Sequence, residues 1–264
     1  MNGWLALTAA VGSMAYKASA DDALRVALTG LDEPVYQRAP RASVSLIVPA
    51  YNEHKYIGNL LQSARNQTES FGEIIIADCS DPGEGTAPIA QAWGVRTIHV
   101  PKGNIAGSRN AGARSAHGDV LVFADADMIL SQQFLEKALD ILESGKVLAH
   151  PKMALYDSMG WHMIMHLPQM LRWDYDPTGC IAIRAGDFWN VGGYNEMCNP
   201  IIDAQCHEDT DFGRRVLELY GPAALKIIPT YIGTSARRYK KFGLNGWGDN
   251  FSTSVRSYQE IGAA

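Results

Sequence analysis

The tripeptide Asp125-Ala126-Asp127 carries the clearest chemistry in this sequence, because a hydrophobic strand runs directly into it. The preceding residues, 118–124, read Gly-Asp-Val-Leu-Val-Phe-Ala, which is typical of a buried strand. Since alternate residues of an extended chain point the same way, Asp125 and Asp127 can approach one ligand. Hard divalent cations prefer such oxygen ligands and commonly link carboxylates to phosphates. The tripeptide therefore indicates a metal–diphosphate site, although a solvated turn can have the same pattern.

Length, composition and charge are those of a globular protein built as one large domain. The chain has 264 residues, of which 47% are hydrophobic and 19% charged, enough to bury a substantial core. Its formal net charge of −5 gives no electrostatic reason to expect a nucleic-acid partner. Cys79, Cys180, Cys198 and Cys206 show no close CxxC spacing. The sequence therefore predicts neither a zinc knuckle nor a disulfide framework, and it favours a reducing, cytoplasmic location.

The amino-terminal residues form an apolar segment of their own. Residues 1–16 carry no charged side chain, and Ala18-Ser19-Ala20 resembles a signal-peptidase site. No positive residue precedes this stretch, and it is too short to span a bilayer, so a helix packed on the domain is favoured over a cleaved signal. Residues 21–42 read as a lead-in segment. Docking on the core, formation of a homodimer and peripheral membrane contact stay open as three roles for the first forty residues.

Strands and helices alternate regularly from residue 44 onwards. Apolar runs predict strands at 44–48, 73–77, 95–100 and 119–124. Helical spacing predicts helices at 53–66, with Asn52 as its cap, at 86–93 and at 104–116. Unbroken apolar strands alternating with helices predict an α/β fold whose parallel sheet is covered by helices on both faces.

The second half of the chain is less regular. Its pattern predicts helices at 131–144 and 209–219 and strands at 146–155, 181–183 and 225–228. Residues 156–176 are rich in Met, Trp and His, and helix packing is favoured over an acceptor-facing or lipid-facing surface as their role.

Polar residues follow the predicted strands at the points where these strands end. Tyr51-Asn52-Glu53 follows the first strand, Asp78 the second and Asp125-Ala126-Asp127 the fourth. Ligands of parallel sheets bind at the carboxyl ends of the strands. The coincidence predicts one ligand site at this edge of the sheet, and it is stronger evidence than any single motif.

Six short segments occur in order between residues 43 and 240. They are Val48-Pro49-Ala50-Tyr51-Asn52-Glu53, Ile76-Ala77-Asp78, Gly107-Ser108-Arg109-Asn110-Ala111-Gly112, Asp125-Ala126-Asp127, Gly192-Gly193-Tyr194-Asn195-Glu196 and Glu208-Asp209-Thr210-Asp211-Phe212. Together they resemble an inverting family-two glycosyltransferase of the GT-A fold. The resemblance implies a Rossmann-like, mixed but mostly parallel sheet covered by helices on both faces. It also implies a nucleotide-binding half at 43–127 and an acceptor half at 128–240. An N-terminal helical lead-in at 1–42 and a C-terminal tail at 241–264 are predicted to flank this domain.

The resemblance assigns the nucleotide to one set of residues: Pro49, Ala50, Tyr51, Glu53, Asp78, Arg109, Asp125, Arg237 and Arg238. Asp78 would accept a hydrogen bond from the base or ribose, although a turn aspartate is an equal reading of that residue alone. Family members often have a second acidic residue and a glycine after it, whereas this chain has Cys79-Ser80-Asp81, which leaves the base open. Arg109 would bind a phosphate of the nucleotide. Arg237 and Arg238 would close over the diphosphate, or they form a solvated basic patch.

The resemblance also assigns the metal and the catalytic base. Asp127 would ligate Mn²⁺ or Mg²⁺ directly, with Asp125 contacting the metal or the ribose. Asp209 would take the proton of the acceptor hydroxyl, and Glu208 would position the acceptor or support the base. The alternative is that Glu208, Asp209 and Asp211 only favour a helix amino terminus. His150 and His207 could be a third metal ligand, but structural histidines are the commoner case.

The predicted function is metal-dependent transfer of a sugar, with inversion, from a nucleoside-diphosphate sugar to an acceptor hydroxyl. UDP or GDP is the favoured nucleotide, and the acceptor is a carbohydrate or a lipid-linked molecule. A sugar-1-phosphate nucleotidyltransferase is the alternative enzyme, but its glycine-rich basic loop is replaced by Tyr51-Asn52-Glu53-His54. A degenerate, non-catalytic binding protein is the third hypothesis. The expected location is cytoplasmic, or peripheral on the cytoplasmic membrane face.

Overall fold

The computed structural model describes residues 2–170, 179–198, 207–237 and 239–241 of the chain. The helices are α1 Asn2–Leu28, α2 Ile57–Arg65, α3 Thr86–Ala92, α4 Ile105–Ser115, α5 Phe134–Glu143, α6 Met159–Met170, α7 Ala185–Asn190 and α8 Glu208–Tyr220. The strands are β1 Val44–Ala50, β2 Glu73–Asp78, β3 Arg96–His99, β4 Val120–Phe123, β5 Met128–Ile129, β6 Leu148–Leu155, β7 Ile181–Arg184 and β8 Leu225–Thr234.

The strands form one mixed sheet in the order β3-β2-β1-β4-β7-β6-β8-β5. Strands β1 to β4 are mutually parallel where they pair, and β6 is parallel to β8. Antiparallel pairs join β4 to β7, β7 to β6, and β8 to β5. The predicted α/β fold with a mixed, mostly parallel sheet is confirmed.

The core lies on both faces of the sheet, because the central strands are buried on both sides. All seven residues of β1 are buried. Leu46 and Val48 belong to a hydrophobic cluster that includes residues of α2 and α5, whereas Ile47 belongs to a second cluster with Phe188 and Phe212. Alternate residues of one strand therefore supply two cores, as expected for a sheet covered by helices on each face.

Several predicted boundaries differ from the structure. The helix predicted at 53–66 begins at Ile57, since residues 51–56 form the turn between strand and helix. Asn52 is not its cap, because its φ is +57° and its side chain bonds Asp81 instead. The last strand continues to Thr234, well beyond residue 228. The sequence pattern did not predict the two-residue strand β5 or the six-residue helix α7, because both are too short to show a hydrophobic periodicity.

Helix α1 packs on the domain through its second half. Its Ala20, Ala23 and Ala27 are buried. Ser19 Oγ lies 3.1 Å from Nε2 of His166, and His162 Nε2 lies 2.7 Å from the carbonyl oxygen of Ala20. These contacts match the docking role among the three that the sequence left open. No helix within the described residues is both long and apolar enough to cross a membrane.

The state of Cys198 contradicts the expectation, drawn from cysteine spacing, that the chain has no disulfide. Cys198 is disulfide-bonded, while Cys79 and Cys180 are free thiols. Cys206 lies outside the described residues. A disulfide needs only proximity in the folded chain, so the lack of a CxxC pair did not exclude one. The prediction of no disulfide was wrong at Cys198, and the reducing location inferred from it loses that support.

Gly112 allows helix α4 to approach strand β1 closely. A Cβ on Gly112 would lie 2.4 Å from Cγ2 of Ile47, whereas one on Gly58 of α2 would meet no atom within 4 Å. We expect Gly112→Ala to lower the free energy of unfolding by about 1–3 kcal/mol, since a packed core must move. Gly58→Ala is the matched control and should be neutral or stabilising by up to about 1 kcal/mol. Urea denaturation of both variants measures this, and an equal effect of the two would contradict the close packing.

Candidate active site at the carboxyl edge of the sheet

The predicted polar residues lie at the carboxyl edge of the parallel strands. Asp78 ends β2, in register with Ala50 of β1 and His99 of β3. Asp125 and Asp127 follow the end of β4, where the main chain turns through a hydrogen bond from Met128 N to Asp125 O of 3.1 Å. The strand register therefore brings segments that are distant in sequence to one edge.

The residues that the resemblance assigns to the nucleotide differ in their exposure to solvent. Pro49 and Ala50 are buried within β1, and the side chain of Tyr51 is exposed. Asp78 is buried, and its Oδ1 accepts hydrogen bonds from the amide and the hydroxyl of Ser80. An open cleft of about 350 Å³ adjoins it. This cleft is lined by Asp78, Ser80, Asp81, Pro82, Gly83, Glu84, Ala87, Pro88 and His99.

Asp81 is the centre of a polar network that the sequence did not single out. Its carboxylate accepts hydrogen bonds from Asn52 Nδ2 at 3.0 Å, Tyr51 Oη at 2.8 Å and Lys102 Nζ at 2.9 Å. The hydrogen bonds of Asn52 and Lys102, with that of Tyr51, lower the pKa of Asp81 to about 2. Lys102 also lies 4.4 Å from the centre of the Tyr51 ring. The network ties Tyr51 to Asp81, which lines the cleft. Asn52, whose backbone is in the left-handed region, contributes its side chain to this network.

Arg237 joins the carboxylates of Glu53 and Asp127. Its terminal nitrogens donate to Glu53 at 2.7 and 2.6 Å, and its Nε lies 3.0 Å from Oδ2 of Asp127. Burial would lower the pKa of Arg237, but the Glu53 hydrogen bond and the charges of Asp127 and Glu53 raise it above its usual value. The guanidinium also lies over the ring of Tyr56. Arg238 lies outside the described residues.

Arg109 is buried among carboxylates. Its Nη1 lies 2.7 Å from Glu208 Oε1 and its Nη2 lies 2.7 Å from Asp125 Oδ1. Burial would lower the pKa of Arg109, yet Asp125, Tyr194 and Glu208 raise it well above its usual value. In this arrangement the terminal nitrogens face carboxylates, so the phosphate contact expected of Arg109 stays a prediction.

Glu208 and Asp209 lie in the first turn of α8 and face the same site. Asp209 Oδ2 accepts a hydrogen bond of 3.3 Å from the amide of Gly179. Gly179 has a φ of +62°, and a Cβ there would lie 2.7 Å from Oδ2 of Asp125. Asp125 and Asp209 therefore approach the same glycine from two sides. Neither composition nor periodicity marked Gly179, because its role depends on contacts that only the folded chain makes.

The glycine pair of the 192–196 segment permits a turn, and helix α4 holds that turn in place. Gly192 and Gly193 have φ values of +91° and +68°. Asn110 then fixes the following residue from both sides: its Nδ2 donates to Tyr194 O and its Oδ1 accepts from Tyr194 N, each at 2.9 Å. Asn110 Nδ2 also lies 2.8 Å from Glu196 Oε1.

The donor set suits a hard cation that shares its ligands with a substrate. Asp125 and Asp127 supply carboxylate oxygens two residues apart in the chain, and Mg²⁺-type ions are often held by one or two carboxylates together with phosphate oxygens. Among the described residues, no group of three His, Cys, Asp or Glu side chains is arranged around a metal position. His150 is buried, and burial lowers its pKa to about 4. The remaining ligands would therefore come from the diphosphate and water.

Two solved structures that share this fold were crystallised with a nucleotide sugar. The chain superposes on S. aureus TarS 1–349 in complex with UDP-GlcNAc with a TM-score of 0.56 and 20% identity, covering 73% of this chain and 58% of that one. It superposes on glucosyl-3-phosphoglycerate synthase of Mycobacterium tuberculosis, crystallised with Mn²⁺, UDP-glucose and phosphoglyceric acid, with a TM-score of 0.58. Identity there is 15%, and 82% of this chain and 80% of that chain are covered. The architecture is that of the GT-A class.

The chain belongs to glycosyl transferase family 2, whose sequence model matches residues 45–197. An uncharacterized glycosyltransferase of Haemophilus influenzae is 35% identical over 188 residues, which is 66% of this chain and 62% of that protein. The chain spans less than two thirds of the length of such curated relatives. The resemblance to family two and to the GT-A fold, inferred from the six sequence segments, is confirmed.

Proposed function

We propose that this protein transfers a sugar from a nucleoside-diphosphate sugar to an acceptor hydroxyl, with inversion and with a divalent cation. One observation carries the proposal: the carboxylate pairs Asp125/Asp127 and Glu208/Asp209, far apart in sequence, meet at one sheet edge through Arg109 and Gly179. Inverting transfer needs a base on one side of the anomeric carbon and a stabilised diphosphate leaving group on the other. One acidic pair would supply the base, and the other would hold a cation that stabilises the departing diphosphate.

The donor is proposed to be a UDP-sugar, with a GDP-sugar as the second choice. Structural neighbours were crystallised with UDP-GlcNAc and with UDP-glucose, which supports uridine. Tyr51 and Asp78 would contact the base or ribose, beside the backbone of Pro49 and Ala50. Glu53 would act through its pair with Arg237.

Asp127 and Asp125 are proposed to hold Mn²⁺ or Mg²⁺, which would neutralise the charge that builds on the departing diphosphate. A neighbour crystallised with Mn²⁺ supports this. Arg237, with Arg238, would add positive charge on the same side of the diphosphate.

Asp209 is proposed to take the proton from the acceptor hydroxyl as its oxygen attacks the anomeric carbon. The amide of Gly179 orients one of its oxygens, and the amide of Thr210 lies 2.9 Å from the other. Glu208 would fix the start of α8 and help to position the acceptor. The acceptor is proposed to be a carbohydrate or a lipid-linked molecule, and a cytoplasmic or membrane-peripheral location and a homodimer stay predictions.

A thermal-shift panel tests the donor site. UDP, GDP, dTDP and CDP are each added with Mn²⁺, Mg²⁺ or EDTA, and a ligand at 100 times its Kd should stabilise the fold by about 2.7 kcal/mol. Stabilisation by one diphosphate that needs the cation is the expected result. A folded sample that responds to no nucleotide would contradict the proposal.

Arg237 and a metal ion would compete for Asp127. Arg237→Gln should therefore raise the affinity for Mn²⁺ alone about fivefold, since the guanidinium no longer neutralises that carboxylate. Electron paramagnetic resonance of free Mn²⁺ during a titration measures this without turnover. Lys240→Gln is the control, because Lys240 pairs with Asp157 at 3.2 Å instead. Unchanged or weaker Mn²⁺ binding in Arg237→Gln would count against Asp127 as a ligand.

A further inference from the structure

We infer that Arg109 is a positioning residue that locks the donor side of the site to the acceptor side. It would hold Asp125, on the donor side, and Glu208, next to the base, at one fixed separation. The inference rests on the proposed function and adds to it a role that differs from phosphate binding.

The contacts of Arg109 are symmetrical. One terminal nitrogen lies 2.7 Å from Asp125 and the other lies 2.7 Å from Glu208. Asp125 follows β4, whereas Glu208 begins α8, so one guanidinium spans two elements that are not consecutive in the chain. Asp209 follows Glu208 directly, so the orientation of the first turn of α8 is fixed by the same contact.

Burial makes this link rigid. The side chain of Arg109 is 1% exposed, and that of Glu208 is 9% exposed. The guanidinium lies 5.1 Å from the centre of the Tyr194 ring, and the peptide of Tyr194 is held by Asn110. Helix α4 itself lies tightly on β1 at Gly112. A buried charge in such a setting has little freedom to change partners, because any other position would leave a carboxylate unpaired.

A lysine cannot replace this arrangement. The guanidinium is a planar fork whose two terminal nitrogens can each donate to a different carboxylate, whereas an ammonium group is a compact point charge. Arg109→Lys therefore keeps the positive charge but loses the fixed separation between Asp125 and Glu208.

Release of UDP from UDP-glucose and UDP-GlcNAc, with Mn²⁺, provides the kinetic test. Arg109→Lys should lower kcat about 100-fold, while the Kd for UDP with Mn²⁺ changes less than about fivefold, because misplacement of catalytic groups acts on the chemical step. Arg114→Lys is the matched control on the same helix, since Arg114 pairs with Glu196 at the surface. A kcat of Arg109→Lys within threefold of this control would overturn the inference.

Thermal unfolding gives a test that is independent of turnover. Arg109→Met should lower Tm by about 10 °C, because it leaves Glu208 buried and unpaired. Adding Glu208→Gln to Arg109→Met should restore at least half of that loss. If the effects of Arg109→Met and Glu208→Gln on Tm were strictly additive, the proposed link between Arg109 and Glu208 would be contradicted. A wild-type chain that releases no diphosphate from any UDP- or GDP-sugar would overturn the proposed function, and the unfolding coupling would then decide whether Arg109 joins the two elements.

Discussion

Asp209→Asn is expected to remove sugar transfer while leaving the fold and donor binding intact. The asparagine keeps the shape of the side chain and can still accept the hydrogen bond from Gly179, but it cannot take a proton at neutral pH. General-base catalysis contributes about 10²–10⁴-fold, so kcat should fall by about that factor. Steady-state assays of diphosphate release, with UDP binding measured by calorimetry, check both parts.

Asp211→Asn is the matched control for this change. Asp211 lies in the same first turn of α8, and its carboxylate pairs with Arg214 and Arg215. Its loss should cost at most about 1 kcal/mol of stability, since these pairs are partly exposed to solvent. Near-normal turnover in Asp209→Asn would refute the assignment of Asp209, and an equal loss in Asp211→Asn would show that the effect comes from the helix terminus.

Asp127→Ala is expected to abolish the stabilisation of the protein by UDP with Mn²⁺. The change removes the carboxylate proposed to bind the metal, which is also a partner of Arg237. Where wild type gains about 2.7 kcal/mol at 100 times its Kd, the variant should gain almost nothing at the same concentrations. A thermal-shift titration with and without EDTA measures the difference.

Asp140→Ala controls for the loss of a negative charge, because Asp140 is exposed and pairs with Arg41, which is not among the residues of the candidate site. It should leave the nucleotide response unchanged. If Asp127→Ala kept the full Mn²⁺-dependent response, the metal and the diphosphate would have to bind elsewhere.

The strand ends were the most predictable part of the molecule. Val44–Ala50 and Val120–Phe123 are almost entirely apolar. Such a run is stable only where both of its faces are buried, and in a domain of this size that place is the centre of a sheet covered by helices. The edge that holds Asp78, Asp125 and Asp127 follows from the parallel direction of those strands. The sequence pattern was therefore sufficient to bring these three carboxylates to one edge of the sheet.

The partners of the site residues could not be predicted in the same way. Arg109 pairs with Asp125 and Glu208, which belong to elements that only tertiary packing brings together. The burial of Arg109 likewise has no signature in the sequence around it. Gly179 and the Asp81 network depend on backbone conformation and on long-range hydrogen bonds. The disulfide at Cys198 likewise depends on proximity that spacing did not reveal.

The anomeric configuration of the first product tests the central proposal most directly. UDP-glucose and UDP-GlcNAc carry their sugars in the α configuration, and water can replace an unidentified acceptor in slow hydrolysis. Proton NMR spectra recorded during the reaction with Mn²⁺ should show free β-sugar first, together with released UDP and before mutarotation mixes the anomers. The same signal should be absent with Asp209→Asn. Initial appearance of the α-sugar would contradict inversion. Absence of UDP release, together with pyrophosphate formation from UTP and a sugar phosphate, would contradict sugar transfer itself.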